Sequence, residues 1–300
     1  MKIFSVLLFF VVLTVSVAFS LQGCSSNDSG SNPVTPGGGG PAAPSNVNVV
    51  LSAIPGGGSN ARVSWTKSSD NSAGNFAGYQ VITNKVDTTG KILGSADSAL
   101  VVKSDSSFHI VNLDPGRNTR YQTKVYAVNG DGTRSQAATS VIYAAIYEYT
   151  NQTIDEYSAA SNSAKSGYGW DPFLGGGTQV AYSSDNASKI DLNMRMDNTD
   201  GAMKFYSPSS PKAPLTNGHN TKLALIGTGQ AAYDKAEGLP EPSLSEIAIT
   251  PDNVYLIKTQ AGNYIKLWVK NLGKVSGNAY NTATFDYKLQ PFAGLKVLKR

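Results

Sequence analysis

Residue types that carry most enzyme chemistry are scarce in this sequence, whose 300 residues include one cysteine and two histidines. Because Cys24 has no second cysteine to pair with, no intramolecular disulfide can form, and each domain must be stable through its core alone. His109 and His219 fall in different halves of the chain, and no Gly-x-Ser-x-Gly motif supplies a nucleophile. No cluster of His, Cys and carboxylate residues has the spacing of a metal site. The sequence therefore predicts a protein that is not an enzyme and that holds no metal and no cofactor.

Charge is also sparse. Charged residues make up 15% of the chain, and the formal net charge is +4. This weak balance does not supply the electrostatic field of a nucleic-acid-binding protein, so no nucleic-acid partner is predicted. Hydrophobic residues make up 40%, which excludes disorder over most of the chain. Because single cores rarely grow beyond about 250 residues, we expect more than one folded domain.

The one long apolar run lies at residues 3–19, directly after Lys2. This layout is typical of a secretory signal peptide, and an uncleaved membrane anchor is the alternative. The run is followed by Leu-Gln-Gly-Cys at residues 21–24, which resembles the lipobox of bacterial lipoproteins. The resemblance implies cleavage before Cys24 and acylation of its thiol. A membrane partner through the lipid, and an exported location at the outer membrane or cell surface, are therefore predicted.

A tract of low complexity comes next. Residues 24–44 are rich in Gly, Ser and Pro and contain no aromatic residue. Because this composition cannot bury a core, it predicts a disordered tether. The predicted organisation is a lipoprotein signal peptide (1–23), the tether (24–44), a first folded domain (45–147) and a second folded domain (148–300).

Short alternating segments separated by turn residues fill residues 45–147, a pattern typical of an antiparallel sandwich. The features that mark this stretch are Trp65, Gly-Tyr at 78–79, Leu-Asp-Pro-Gly at 113–116 and Tyr121. Together they closely resemble a fibronectin type III domain. The resemblance implies an immunoglobulin-like sandwich that is either a spacer or an interaction module. The alternation also predicts that Phe108 and Ile110 face the core and that His109 faces outward.

Residues 148–300 continue the strand pattern, apart from a helical signal at 154–165. Strands are predicted at 190–196, 222–226, 245–249, 254–259, 263–269, 283–289 and 295–298. The chain is therefore predicted to be all-β: a fibronectin type III (immunoglobulin-like) sandwich followed by a second, mainly antiparallel β domain.

One hairpin in the second domain has a defined register. Gln-Ala-Gly at 260–262, with Gly262 in the left-handed conformation, pairs Thr259 with Asn263. One face of the hairpin then carries Tyr255, Ile257, Ile265, Leu267 and Val269, and the other carries Leu256, Lys258, Tyr264, Lys266 and Trp268. The second face is either a platform for sugars or an acidic partner, or a covered face on which lysine stems lie along apolar rings. We favour the covered face.

Exposed aromatic side chains are the candidate ligand-binding residues, because flat rings stack on sugars or porphyrins without titratable groups. The candidates are Tyr168, Trp170 and Trp268. Tyr168 and Trp170 precede Gly-Gly-Gly at 175–177. The aromatic residues of segment 167–177 either stack on a carbohydrate or form a hydrophobic latch of the domain itself, and we favour the latch. His219, beside Gly218 in a polar segment, is interpreted as a solvated loop residue.

The strands at 254–259, 262–266 and 285–290 are similar to the C-terminal strands of HmuY-like haem-carrier lipoproteins, over residues 166–298. In that family paired side chains hold the haem iron, and His219 is the only histidine in this half of the chain. The predicted function is that of a lipid-anchored cell-envelope protein acting as a non-catalytic surface binding or structural module, with a protein or glycan partner. The alternatives are a haem or small-ligand carrier and an accessory protein of a polysaccharide-degrading system.

Overall fold

The computed structural model describes residues 40–53, 59–103, 108–113, 119–158, 164–172, 175–235, 238–274, 277 and 280–296. The predicted signal peptide, Cys24 and most of the tether lie outside the described residues. The segment Gly39–Arg300 forms one compact unit. Within the described part of that unit, no helix combines the length and the apolarity needed to cross a bilayer.

Two antiparallel sheets form the first half of the unit. Their strands are β1 (Ser45–Ala53), β2 (Ser59–Thr66), β3 (Phe76–Val86), β4 (Ile92–Val102), β5 (Phe108–Leu113), β6 (Arg120–Asn129), β7 (Ala138–Thr139) and β8 (Tyr143–Ala144). One sheet has the order β1-β2-β5 and the other the order β4-β3-β6-β7, with β8 also pairing with β6. Alternate side chains along β2 are buried, as its sequence pattern predicts, because successive residues of a strand point to opposite faces.

Aromatic side chains fill the space between these two sheets. Trp65 is 4% exposed, and its ring centroid lies 5.3 Å from that of Tyr79. The Tyr79 hydroxyl accepts a hydrogen bond from the Ser68 backbone N–H at 2.9 Å, which satisfies its polar end within the core. Tyr121 stacks on Tyr143 at 5.9 Å. Tyr79, Tyr121 and Tyr143 are therefore core residues, each with a hydrogen-bond partner or a ring contact.

The prediction for the faces of β5 is wrong. Phe108 and Ile110 are on the exposed face, whereas His109 shares the inner side with Val111. The His109 Nε2 atom lies 2.7 Å from the Asp97 carboxylate, so this inner position holds a polar pair in place of an apolar side chain. The outer face of β5 is partly covered, because the guanidinium of Arg62 lies 4.2 Å from the Phe108 ring centroid.

Two further antiparallel sheets form the second half. Their strands are β9 (Tyr147–Asp155), β10 (Gly167–Asp171), β11 (Gly176–Val180), β12 (Leu192–Met196), β13 (Met203–Tyr206), β14 (Lys222–Thr228), β15 (Glu246–Ala248), β16 (Asn253–Lys258), β17 (Tyr264–Lys274) and β18 (Asn281–Leu289). The sheet orders are β11-β10-β12-β13-β15 and β14-β16-β17-β18-β9. The helix α1 (Gly229–Asp234) lies between β14 and β15 in sequence. The helical prediction for 154–165 is wrong in its described part, because Ile154 and Asp155 end strand β9.

The predicted hairpin register is confirmed. Thr259 and Asn263 form the closing pair, with the Thr259 N–H donating to the Asn263 carbonyl at 3.0 Å, and Gly262 has a φ of 85°. The inward face, including Ile257 and Leu267, joins the core of the second half. The opposite face contributes Leu256 to the hydrophobic cluster of the first sandwich.

The two halves of the unit therefore share one continuous apolar cluster. Leu256 and Tyr264 from the second half are buried members of the cluster that contains Trp65. The connecting segment is tied to the first sandwich as well, because the Ser59 hydroxyl donates to the Ile146 carbonyl and accepts from the Ile146 N–H, at 3.0 and 2.9 Å. These contacts fix β9 at the start of the second half against strand β2.

Candidate functional site

Two of the three predicted aromatic candidates are interior residues. Tyr168 is 1% exposed and Trp170 is 7% exposed. The Tyr168 ring lies 5.1 Å from Phe285 and 6.1 Å from Tyr287, centroid to centroid. Burial raises the pKa of the Tyr168 hydroxyl to about 12. The ring of Tyr168 is thus part of the core and presents no face to a ligand.

The glycine-rich segment 175–177 packs directly on tyrosine rings. A Cβ atom on Gly177 would lie 2.3 Å from the Tyr168 ring, and one on Gly175 would lie 3.1 Å from the Tyr147 ring. Gly176 lies over Tyr149 in the same way. Because these glycines have no Cβ atom, the backbone of this segment can lie directly against the rings. The arrangement matches the latch interpretation of this segment.

Trp268, the third candidate, is partly exposed and is covered on its faces. Its ring lies 5.4 Å from the Tyr233 ring of α1, and the Lys270 ammonium lies 3.0 Å from its centroid. The indole Nε1–H donates to the Asp252 carboxylate at 3.0 Å. The space that a stacking sugar needs is therefore occupied by neighbouring side chains.

The lysines of the same face are buried beneath α1. Lys266 donates from Nζ to the carbonyls of Tyr233 and Lys235, and Lys288 donates to the Asp234 carboxylate at 3.1 Å. Cations at a helix C-terminus stabilise the unpaired carbonyls there. Burial, together with the nearby charge of Lys288, lowers the pKa of Lys266 to about 7. The face is covered by the rest of the domain and does not form an open platform.

A different surface provides an open cleft. The cleft has a volume of about 510 Å³ and lies where the ends of β9 and β12 meet. Its lining residues are Glu156, Tyr157, Arg195, Met196, Asp197, Asn198, Thr199, Tyr206 and Lys212. The two methionines of β12 differ in burial. Met194 is buried, whereas Met196 is exposed at the cleft because it is the last residue of β12. We name this surface the β12 cleft.

An arginine stacked on a tyrosine lines part of the β12 cleft. The Arg195 guanidinium lies 4.2 Å from the Tyr157 ring centroid, and Tyr182 meets the edge of Tyr157 at 5.9 Å. Arg195 also donates from Nη1 to the Lys212 carbonyl at 2.9 Å. Cation–π stacking and this hydrogen bond hold the guanidinium in one orientation, with further N–H groups available at the cleft.

A network of ion pairs lies beside Arg195 in the same cleft. The nearly buried Asp197 carboxylate accepts hydrogen bonds from Lys204 at 2.7 Å and from Lys212 at 2.9 Å. Lys212 also donates to Glu246 at 2.8 Å. The hydrogen bond from Lys204 is the main cause that holds the pKa of Asp197 well below its usual range. Glu246 and Asp197 raise the pKa of Lys212 to about 12.

The acidic turn that follows β12 is closed by its own backbone. The Thr199 N–H donates to the Asp197 carboxylate at 2.9 Å, and the Gly201 N–H donates to the Asp197 carbonyl at 2.8 Å. Lysine ammonium groups occupy the Asp197 oxygen that a calcium ion would need. The segment is a plain turn tied to the lysine network.

Sequence reasoning missed the residues of the β12 cleft. Tyr157, Arg195 and Lys212 belong to separate segments, and each alone resembles an ordinary surface residue. The alternation along 190–196 does place Arg195 on the polar face of its strand, which is the only signal that the sequence offers. The approach of Tyr157 depends on the pairing of β9 with β18 and on the chain beyond β9, where the Tyr157 N–H donates to the Met194 carbonyl.

Comparison with known proteins identifies one part of the chain. Residues 42–141 match the family model of the fibronectin type III domain. This match confirms the fibronectin type III resemblance, and the strands and antiparallel sheets described above confirm the all-β fold class. No curated protein matches the chain. Among solved structures, the chain is similar to the twitchin kinase region from C. elegans (Fn31-NL-kin-CRD-Ig26). The sequence identity is 11% over 83% of this chain and 40% of that chain, and the TM-score is 0.26. The chain thus spans less than half the length of that protein region.

Proposed function

We propose that this protein is a lipid-anchored cell-envelope protein that binds a glycan in the β12 cleft and does not catalyse a reaction. The fibronectin type III domain is a structural or binding module, and it lies between the lipobox-like segment and the second half. The proposal places the ligand site in the second half, where the open cleft lies.

The observation that carries the proposal is that Asp197 and Lys212 of the cleft belong to one network of ion pairs, together with Lys204 and Glu246. Asp197 is held in its charged form by Lys204 and Lys212, and the pKa values of both lysines are raised. A general acid or base works best when its pKa lies near the ambient pH. These three groups keep their charges at neutral pH, so they offer hydrogen bonds to a ligand but no proton transfer.

The lining favours a neutral, hydroxyl-rich ligand. The lining carries charges of both signs, with Arg195 and Lys212 cationic and Glu156 and Asp197 anionic. A ligand with one strong charge therefore meets lining groups of its own sign. Sugar hydroxyls both donate and accept hydrogen bonds, and they can pair with both kinds of group.

A polysaccharide binding assay with a matched variant tests this site. The full chain is incubated with insoluble glycans and with soluble oligosaccharides, and Arg195→Ala is compared with Arg62→Ala. Arg62 is the matched control because it stacks on Phe108 at the same 4.2 Å distance in the first sandwich. We expect Arg195→Ala to lower glycan affinity by about tenfold, the effect of losing one charge-assisted hydrogen bond. Equal binding by both variants, or release of new reducing ends from a bound glycan, would contradict the proposal.

The lipid anchor is tested separately. The proposal expects the mature chain to begin at acylated Cys24, because the apolar run, Gly23 and the polar tract fit that cleavage. Intact mass and detergent phase partitioning are measured for the wild type and for Cys24→Ser. A Cys24→Ser chain that is processed and membrane-bound like the wild type would show that another segment holds the protein on the membrane.

A further inference from the structure

A second, smaller cavity lies on another side of the second half. Its volume is about 250 Å³, enough for one ring-sized molecule. The lining residues are Trp170, Pro172, Asp191, His219, Thr259, Gln260, Ala261 and Asn263. It shares no lining residue with the β12 cleft. We name it the His219 cavity.

His219 is fixed in this cavity by a buried carboxylate. Its Nδ1 atom lies 2.9 Å from Asp191 Oδ1, and the other oxygen of Asp191 accepts the Trp170 backbone N–H at 3.0 Å. Because the carboxylate can only accept, Nδ1 carries the proton and Nε2 is the free ring atom. Nε2 has no partner among the described residues. His219 lies in a loop, as interpreted from the sequence, but its side chain is only 26% exposed and is held by Asp191.

Trp170 supplies a second polar group without a partner. Its side chain lines the cavity and is 7% exposed, yet the indole Nε1–H has no acceptor among the residues that the structure describes. Buried donors are almost always paired with protein or with bound molecules, since an unpaired one costs free energy. Trp170 therefore keeps an unused donor in a side chain that lines the cavity.

We propose that the His219 cavity binds the carboxylate of a small organic acid, which accepts hydrogen bonds from His219 Nε2–H and Trp170 Nε1–H. Asp191 Oδ1 faces His219 Nδ1 and Oδ2 accepts the Trp170 backbone N–H, so both oxygens already have donors other than His219 Nε2. The proposal is independent of glycan binding in the β12 cleft.

Protonation of His219 controls the donor. The hydrogen bond with Asp191 raises the pKa of His219 above its ordinary value. Asp191 is the one other charged group among the described lining residues, since the Thr259–Asn263 loop, Trp170 and Pro172 are uncharged. Protonated His219 has an N–H at Nε2, and neutral His219 has a lone pair there. Carboxylate binding should therefore weaken as the pH rises through the His219 pKa.

Imidazole NMR of the full chain tests the proposal, because the chain contains only His109 and His219. The two histidines are assigned with His109→Gln. Glucuronate is titrated at pH 6 and pH 8, and glucose, which has the same ring but no carboxylate, is titrated in parallel. We expect glucuronate to shift the His219 signals alone, to bind about tenfold or more weakly at pH 8, and to bind at least about tenfold more tightly than glucose.

Two variants locate the contacts. Trp170→Phe keeps the ring and removes the N–H, and His219→Gln keeps a donor for Asp191 while removing the titrating group. Each should weaken glucuronate binding by about tenfold or more while the His109 signals of Trp170→Phe stay as in the wild type. The proposal is overturned if glucuronate leaves His219 unshifted, if glucose binds equally well, or if both variants bind glucuronate like the wild type.

Discussion

Leu256→Ala is expected to destabilise the first sandwich, although Leu256 belongs to a strand of the second half. Its side chain is fully buried in the cluster that contains Trp65, while the neighbouring Ile257 points into the other core. The change removes apolar contacts and leaves a cavity at the place where the two halves share their cluster. The first sandwich thereby loses part of its cover.

The size of the effect follows from the burial of Leu256. Replacing a fully buried leucine by alanine costs about 2–5 kcal/mol of unfolding free energy, a large share of the roughly 5–15 kcal/mol available to a domain. For a cooperative unit of this size, each kcal/mol lowers the melting temperature by about 2–4 °C. The expected decrease is therefore about 4–20 °C.

Single-tryptophan variants report the two halves separately, with Trp65 in the first and Trp268 in the second. In Leu256→Ala the melting temperatures reported by the two tryptophans should decrease by the same amount, because the cluster spans the two halves. Leu225→Ala is the control: Leu225 lies on β14 of the same sheet and is 49% exposed, so its removal should change stability by less than about 0.5 kcal/mol. If Trp65 melts in Leu256→Ala as in the wild type, the argument for a shared core fails.

Two further predictions concern close packing and pH. Gly169→Ala places a Cβ atom 1.6 Å from the Lys189 carbonyl oxygen, so we expect the second half not to fold. Gly94→Ala is the control, because its Cβ atom would have no other atom within 4 Å and the variant should melt like the wild type. Thermal melts of the two variants test this. The pKa of Lys266 is lowered from 10.5 to about 7 in the folded chain. Between these two pH values the unfolded chain therefore binds more protons than the folded chain, so the free energy of unfolding should rise with pH across this window. Lys266→Met should flatten this slope in urea unfolding measured from pH 7 to 10, and an unchanged slope would assign it to other groups.

Local sequence signals predicted the parts of the fold that depend on near neighbours. The hairpin at Gln260–Gly262 follows from one glycine and two alternating strands, and its register then determines both faces. The buried face of β2 follows from its own alternation, whereas β16 is buried on both faces. In β2 a one-residue shift would expose the core face, so the pattern has one solution.

Features that depend on distant partners were not predictable in this way. The β5 faces are reversed because His109 pairs with Asp97 on β4, and a polar pair does not appear in a hydrophobic pattern. The helix α1 is six residues long, and it is held by lysines from β17 and β18 rather than by its own sequence. The β12 cleft and the His219 cavity likewise join segments far apart in the chain, so only the folded structure reveals them.

The rings around the glycine-rich latch give the second half an optical reporter of its own. Tyr149, Tyr168 and Tyr287 form a chain of contacts to Trp170, with neighbouring centroids 5.2 to 6.1 Å apart. At such separations, energy absorbed by a tyrosine passes to the indole before it is emitted. Light absorbed by these tyrosines therefore appears as Trp170 fluorescence. Tyr168 and Trp170 both lie on β10, so this transfer persists if β11 separates from the rings, and transfer from Tyr287 is lost only when β10 and β18 themselves come apart.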